Sequence, residues 1–218
     1  MRRTTACLAL LALAAGATNS AAAQGRGRDR GLVELPPEGT RRGVFLTGGL
    51  GDGSEQYRYS DSDPYVYSPA LGKPSLLLRL GGTPSQNVRL GGEFFGWWNH
   101  RNDVGGGVAA TEYFTALLLT AEFYPGQRSG FFLKGGAGLG WNGVSFYNGS
   151  GNQLSGFAWT AGAGYEFPLS RSIALGPAVD FYQASFDNSR DASDPYTLSE
   201  RVLNLGVQIT FQSGGRRR

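Results

Sequence analysis

Seven charged side chains, Arg79, Arg89, Glu93, Glu122, Lys134, Glu166 and Asp180, each fall in a stretch where alternate residues are apolar. Successive side chains of a β-strand point to opposite faces. The spacing therefore places all seven on the polar face of strands, with Tyr182 and Gln208 in the same phase. Three are basic and four are acidic. Enclosed together, they must pair or hold water, because an uncompensated buried charge is costly. The chemistry expected of them is mutual neutralisation, not turnover.

Residues suited to conventional chemistry are sparse. His100 is the single histidine, between Trp97-Trp98-Asn99 and Arg101-Asn102-Asp103, with no serine placed to use it. A nucleophile needs its base within hydrogen-bond reach, so His100 reads as a solvated loop residue. Gly135-Gly136-Ala137-Gly138-Leu139-Gly140 has the look of a phosphate loop, but no helix follows it. Asn148-Gly149-Ser150 fits a glycosylation sequon, a string short enough to arise by chance, and no Cys/His cluster has zinc spacing. No catalytic residue, cofactor or metal is expected.

The elements that must carry the seven charges are strands. The last one, Arg201 to Phe211, alternates Leu203, Leu205, Val207, Ile209 and Phe211 with Asn204, Gly206, Gln208 and Thr210. Similar character recurs near 43–51, 75–82, 88–98, 112–124, 131–141, 156–167 and 173–182, which makes eight strands. Short turns at 83–87, 125–130 and 168–172 alternate with longer polar connections at 52–74, 99–111, 142–155 and 186–200. The pattern predicts an all-β, eight-stranded antiparallel up-and-down transmembrane β-barrel, with tight turns on one side and extended loops on the other. Ser-Asp-Pro-Tyr occurs at 62–65 and again at 193–196, in the first and last long loops. Two independent turns explain it most simply; a paired surface element gathering Asp61, Asp63, Asp191 and Asp194 is the alternative.

Alternation alone does not say which face is outside. A soluble lipocalin-type barrel has the same period with its apolar face inward. Three features favour apolar-outward. The polar face is rich in glycine, as in Lys134, Gly136, Gly138 and Gly140, where a water-exposed face would carry more charge. Aromatics gather at strand ends: Trp97, Trp98, Tyr113 and Trp141 on the loop side, Phe123, Tyr124, Phe131, Tyr165, Phe167 and Phe211 on the turn side. These match the two interfaces of a bilayer. The loop-length alternation, finally, has no purpose in a soluble barrel.

The chain ends complete the outline. Arg2-Arg3, an Ala/Leu stretch and Ala21-Ala22-Ala23 read as a signal peptide over 1–23, too short to span a bilayer. The only cysteine, Cys7, leaves with it, so no disulfide is expected. Of 20 Lys+Arg and 17 Asp+Glu, cleavage removes Arg2 and Arg3. The near-neutral remainder is no nucleic-acid footprint. Residues 24–42 read as a linker, 43–211 as the barrel and 212–218 as a basic tail.

The signal peptide, the strand count, the loop alternation and the terminal aromatic resemble the bacterial outer-membrane β-barrel family, in its small porin-like and OmpA-like members. The resemblance covers about 43–211 and departs from the family in the tail after Phe211. It implies outer-membrane lipids around the barrel and barrel-assembly machinery reading Phe211 as the closing signal. It also implies a monomer with both termini periplasmic. Lipid A deacylases of similar size use a His, a Ser and an acidic residue near the outer face, a set His100 does not complete. The expected role is structural or surface-interacting through the loops, over a largely packed lumen; the alternative is a passive channel or transporter of small molecules.

Overall fold

The computed structural model describes residues 41–60, 67–102, 109–127, 129–147, 151–187 and 196–213. The predicted signal peptide, most of the linker, the sequon, the residues after Ser213 and both Ser-Asp-Pro-Tyr strings except Tyr196 lie outside them.

Strands β1 (Gly43–Tyr59), β2 (Leu71–Ser85), β3 (Val88–Arg101), β4 (Ala110–Phe123), β5 (Phe131–Phe146) and β6 (Gly151–Tyr165) are followed by a two-residue β7 (Phe167–Pro168), β8 (Ile173–Asp187) and β9 (Thr197–Gln212). β1 to β6 pair antiparallel in chain order, β8 pairs with β7 and β9, β1 pairs with β9, and β6 pairs with β8 to close the ring. The short β7 is β6 continued: Phe167↔Leu175 keeps the register set by Gly164↔Ala178. The gap falls where Pro177, lacking an N–H, faces Tyr165. The barrel therefore has eight staves, as the period predicts.

The greasy face points out. Leu119 is 78% exposed and Leu50 71%, while Arg79, Glu93 and Glu122 are buried inside. A lipocalin has the opposite arrangement. On β9 the outward row from Leu203 to Phe211 covers ~26 Å of strand, or ~20 Å of height at the usual tilt of such barrels.

The strands are longer than the alternation indicated. β1 continues through Gly53, Ser54 and Glu55, paired with β2 on one side and β9 on the other, and then through Gln56 beside β9. There the outward positions are Asp52, Ser54 and Gln56, so the apolar half of the alternation disappears while the ladder goes on. The connections expected to be long at 142–155 and 52–74 are largely strand for the same reason. Two aromatics assigned to the girdles are inside instead, Trp97 at 2% exposure and Tyr124 at 0%. Adjacent residues of a strand cannot share a face: Trp98 takes the outward place and Trp97 turns in. Phe211 is outward and half-exposed as expected, but the strand runs one residue further, to Gln212.

Candidate functional site

The lumen is the place where the chain concentrates its chemistry, and it is layered. At the turn end and the middle, the seven charged residues form one chain of alternating sign. Asp180 (β8) meets Lys134 (β5) at 2.7 Å, an ion pair without hydrogen-bond geometry. Lys134 Nζ donates to both carboxylate oxygens of Glu93 (β3) at 3.0 Å. Glu93 Oε2 accepts from Arg79 Nε (β2) at 2.8 Å, and Arg79 Nη1 also donates to Glu122 (β4). Glu122 reaches Arg89 Nη1 (β3) at 3.5 Å, and the same nitrogen donates to Glu166 at 2.7 Å. All seven side chains are buried. Lys134 pairs with Glu93 and Arg89 with Glu122, while Arg79 sits at the centre and holds two carboxylates.

An eighth member comes from the segment read as linker. The Arg41 guanidinium stacks over the Tyr124 ring at 3.7 Å and donates to the carbonyls of Gln127 and Ser129 in the β4–β5 turn. Tyr124 in turn accepts from Arg89 Nη1 at 2.5 Å. With Arg41, four cations face four carboxylates in this half of the lumen. Gln212, assigned to the tail, is also part of it: its Oε1 accepts from Arg89 Nη2 at 2.9 Å. No apolar period marks Arg41 or Gln212, which is why the sequence reading passed over them.

Above the charges lies an aromatic layer. Phe95 (β3) and Tyr182 (β8) stack across the bore, 3.8 Å between centroids at 14°. Phe114 leans on Phe95, and Phe186 meets Phe114 edge-on. Tyr182 Oη joins the two layers, donating to Glu93 Oε1 at 2.8 Å and accepting from Lys134 at 3.1 Å. Trp97 caps the layer by donating its indole N–H to the Gly53 carbonyl at 2.8 Å. A Cβ at Gly53 would stand 2.7 Å from that indole, so the ring needs a glycine beneath it. Nearby, Ser75 and Asn204 meet over Gly51 at 2.5 Å, and a side chain there would separate them. Beside them a cavity of about 10 Å³, lined by Asp180, Asn204 and Gln208 among others, has room for a single water.

At the loop end the lumen turns acidic. Glu55 (β1), Glu112 (β4) and Glu200 (β9) face inward with Asn99 and Asn142. Asn142 donates across the bore to Glu200 Oε2 at 2.8 Å, Asn99 donates to Glu112 Oε2 at 2.7 Å, and Arg101 pairs with Glu112 at 3.1 Å. None of these carboxylates stands out in the sequence, because they lie where the outward period has faded. They sit beyond the apolar belt, since the outward neighbours there are Ser54, Gln56, Ser199 and Arg201. Burial, then repulsion from Glu112, pushes Glu55 up to about 7 against an opposing pull from Arg101. Burial and Glu55 hold Glu200 well above the usual carboxylate range.

His100 is exposed, with Nδ1 3.0 Å from Thr111 Oγ1, and the hydrogen bonds around it form no nucleophile–base–acid relay. Among the described residues no three His, Cys, Asp or Glu side chains are placed to hold a metal ion.

No protein-family model matches the chain, and no curated protein matches its sequence. Solved structures do. Neisserial surface protein A is 12% identical over 76% of this chain and 96% of its own, with a TM-score of 0.50. The attachment invasion locus protein Ail of Yersinia pestis, 12% identical, covers 76% of this chain and 99% of its own at 0.46. OprG of Pseudomonas aeruginosa, 16% identical, covers 80% and 99% at 0.44. At such identities likeness speaks for fold alone, and the fold it joins to the outward apolar belt is the closed, eight-stranded antiparallel β-barrel of small outer-membrane proteins.

Proposed function

We propose that this chain is an outer-membrane barrel with a sealed lumen, acting through its loop end in a structural or surface-interaction role and neither conducting nor catalysing. The observation that carries the reading is the lumen filling: an alternating charge chain beneath a stacked Phe95–Tyr182 pair. A pore at this level needs both to move, and moving either strands buried charge. An eight-stranded barrel is just wide enough for side chains to fill. In this reading lipid surrounds the belt from Leu203 to Phe211, the assembly machinery engages the closing strand at Phe211, the barrel is monomeric, and both termini are periplasmic because the turn end holds them.

Single-channel recording on the refolded protein in a planar bilayer tests it. No steady conductance is expected. Reproducible currents proportional to salt concentration would overturn the sealed lumen and make the chain a channel.

A further inference from the structure

The charge chain stops short at its β8 end. Asp180 Oδ1 lies in the 2.7 Å ion pair with Lys134 but accepts no hydrogen bond from any described residue. On the adjacent strand, Oε1 and Nε2 of Gln208 are likewise without a partner. Asp180 is 1% exposed and Gln208 3%, so neither reaches solvent for relief. Leaving buried polar atoms unpaired is expensive, and native structures leave few of them so. All three atoms belong to residues lining the same cavity of about 10 Å³. Glycines open that space. Gly206 separates Asn204 from Gln208 along the inward row of β9, and Gly49 and Gly51 of β1 stand in register with Gln208 and Gly206.

We infer that this cavity binds one ordered water, which bridges Asp180 Oδ1 to the Gln208 amide. An enclosed water needs roughly 10–15 Å³ and two to four polar partners. The site offers both. The water donates to the Asp180 carboxylate, and either donates to Gln208 Oε1 or accepts from Gln208 Nε2. Charge argues against an ion. Lys134 already sits against Asp180, and four cations face four carboxylates in this half of the lumen, so an added cation would be unmatched. An anion would face the Asp180 carboxylate, and an apolar guest would leave all three atoms bare. The water thus carries the network beyond β8 to the closing strand, which supplies no charged side chain to this layer. The inference rests on the sealed-lumen reading, because water in an open bore would exchange faster than the barrel tumbles. The two fail separately: currents report on the bore, and a missing water in a barrel that carries no current refutes the cavity site alone.

The experiment is NMR of the refolded full chain in detergent micelles, reading magnetisation transfer from water to the Gln208 side-chain amide protons. Cross-peaks of opposite sign in the laboratory and rotating frames are expected, the mark of a water held longer than the tumbling time. Gly49→Ala is the displacing variant. Its Cβ would stand 3.4 Å from Gln208 Cβ and 3.6 Å from Leu77 Cβ, ordinary contact distances, so the methyl enters the cavity without strain and takes the water's place. The cross-peaks should then vanish and the urea midpoint should fall, because the three atoms lose their partner. A dry void would answer the other way, since filling it adds contacts and alanine restricts the unfolded chain. A raised midpoint in Gly49→Ala would therefore overturn the site. So would absence of the cross-peaks in the parent chain, or their survival in Gly49→Ala, which would trace them to a labile side-chain proton. If Gly49→Ala does not fold, Ser75→Ala removes the hydroxyl of the cavity lining; the cross-peaks should persist, and their loss would refute the water.

Discussion

Replacing Glu122 with Ala is the sharpest test of the lumen. Glu122 touches two guanidinium groups, accepting from Arg79 Nη1 through Oε1 and meeting Arg89 at 3.5 Å through Oε2. Without it, Arg79 keeps Glu93 at 2.8 Å and Arg89 keeps Glu166 at 2.7 Å. Neither guanidinium is left wholly bare, but the lower lumen goes from four against four to a surplus positive charge, at side chains 1% and 2% exposed. Removing one member of a buried ion pair costs about 3–5 kcal/mol. The retained partners put the expected loss near the lower end of that range. A water-filled lumen would screen the same charges and reduce the loss to ~0–1 kcal/mol. Urea unfolding in micelles, followed by tryptophan fluorescence, reads the difference. Adding Arg89→Met to Glu122→Leu restores the net balance but takes from Glu166 its 2.7 Å partner, so it should recover part of the loss. A single-variant loss below ~1 kcal/mol, with no recovery in the double, would refute a dry, ion-paired lumen.

Leu119→Arg puts a charge on the outward face and should cost ~2–4 kcal/mol in bilayers; a chain that tolerates it and stays monomeric in detergent-free buffer would be a soluble barrel. Phe211→Asp should reduce the folded, heat-modifiable form far more than deleting residues 214–218. Truncation from Gln212, by contrast, should be damaging, since Gln212 bonds Arg89 and Ser213 N–H donates to the Val44 carbonyl at 2.9 Å; equal yields from all three would remove Phe211 as the closing signal. Glu55 has a folded pKa of about 7, raised above an unfolded value near 4.3. Its contribution is therefore fully present below about pH 4.3 and lost as pH rises through about 7. The urea midpoint should fall across that window and fall less steeply in Glu55→Gln, where burial still raises Glu200; a flat profile in the parent chain would refute the raised value.

The barrel and its inward charges could be read from the sequence for one reason: within the apolar belt, lipid on one side forces a strict period of two. Every charge standing out of phase with Leu, Val or Phe there had to face inward, and Arg79, Glu93, Lys134 and Asp180 do. Beyond the belt that force disappears. Asp52, Ser54 and Gln56 look like loop residues, although β1 is paired with β2 as far as Glu55 and with β9 as far as Tyr59. The acidic ring was missed along with those strand extensions. Trp97 and Tyr124 show a second limit. Aromatics are equally suited to a girdle and to a plug, so only strand phase separates the two, and phase was overridden by proximity to a strand end. Arg41 could not have been placed at all, since its partners are a ring and two turn carbonyls far away in sequence.

The pairing pattern also bears on register. Arg79–Glu122 joins β2 to β4 across β3, Glu93–Lys134 joins β3 to β5 across β4, and Lys134–Asp180 joins β5 to β8 across β6. Each pair skips a strand, so it braces the ring where the ladder only links neighbours. A slip of one residue between strands would turn these charges outward into the apolar belt, at a few kcal/mol apiece. A slip of two keeps the greasy face outward and leaves the ladder intact, so lipid burial alone cannot oppose it. It would, however, carry each slipped charge about 7 Å along its strand, beyond reach of its partners. Buried polar groups are best attested as devices that fix registry, and this chain gives them that work. The belt selects the face, while the charges select one pairing among those that keep it.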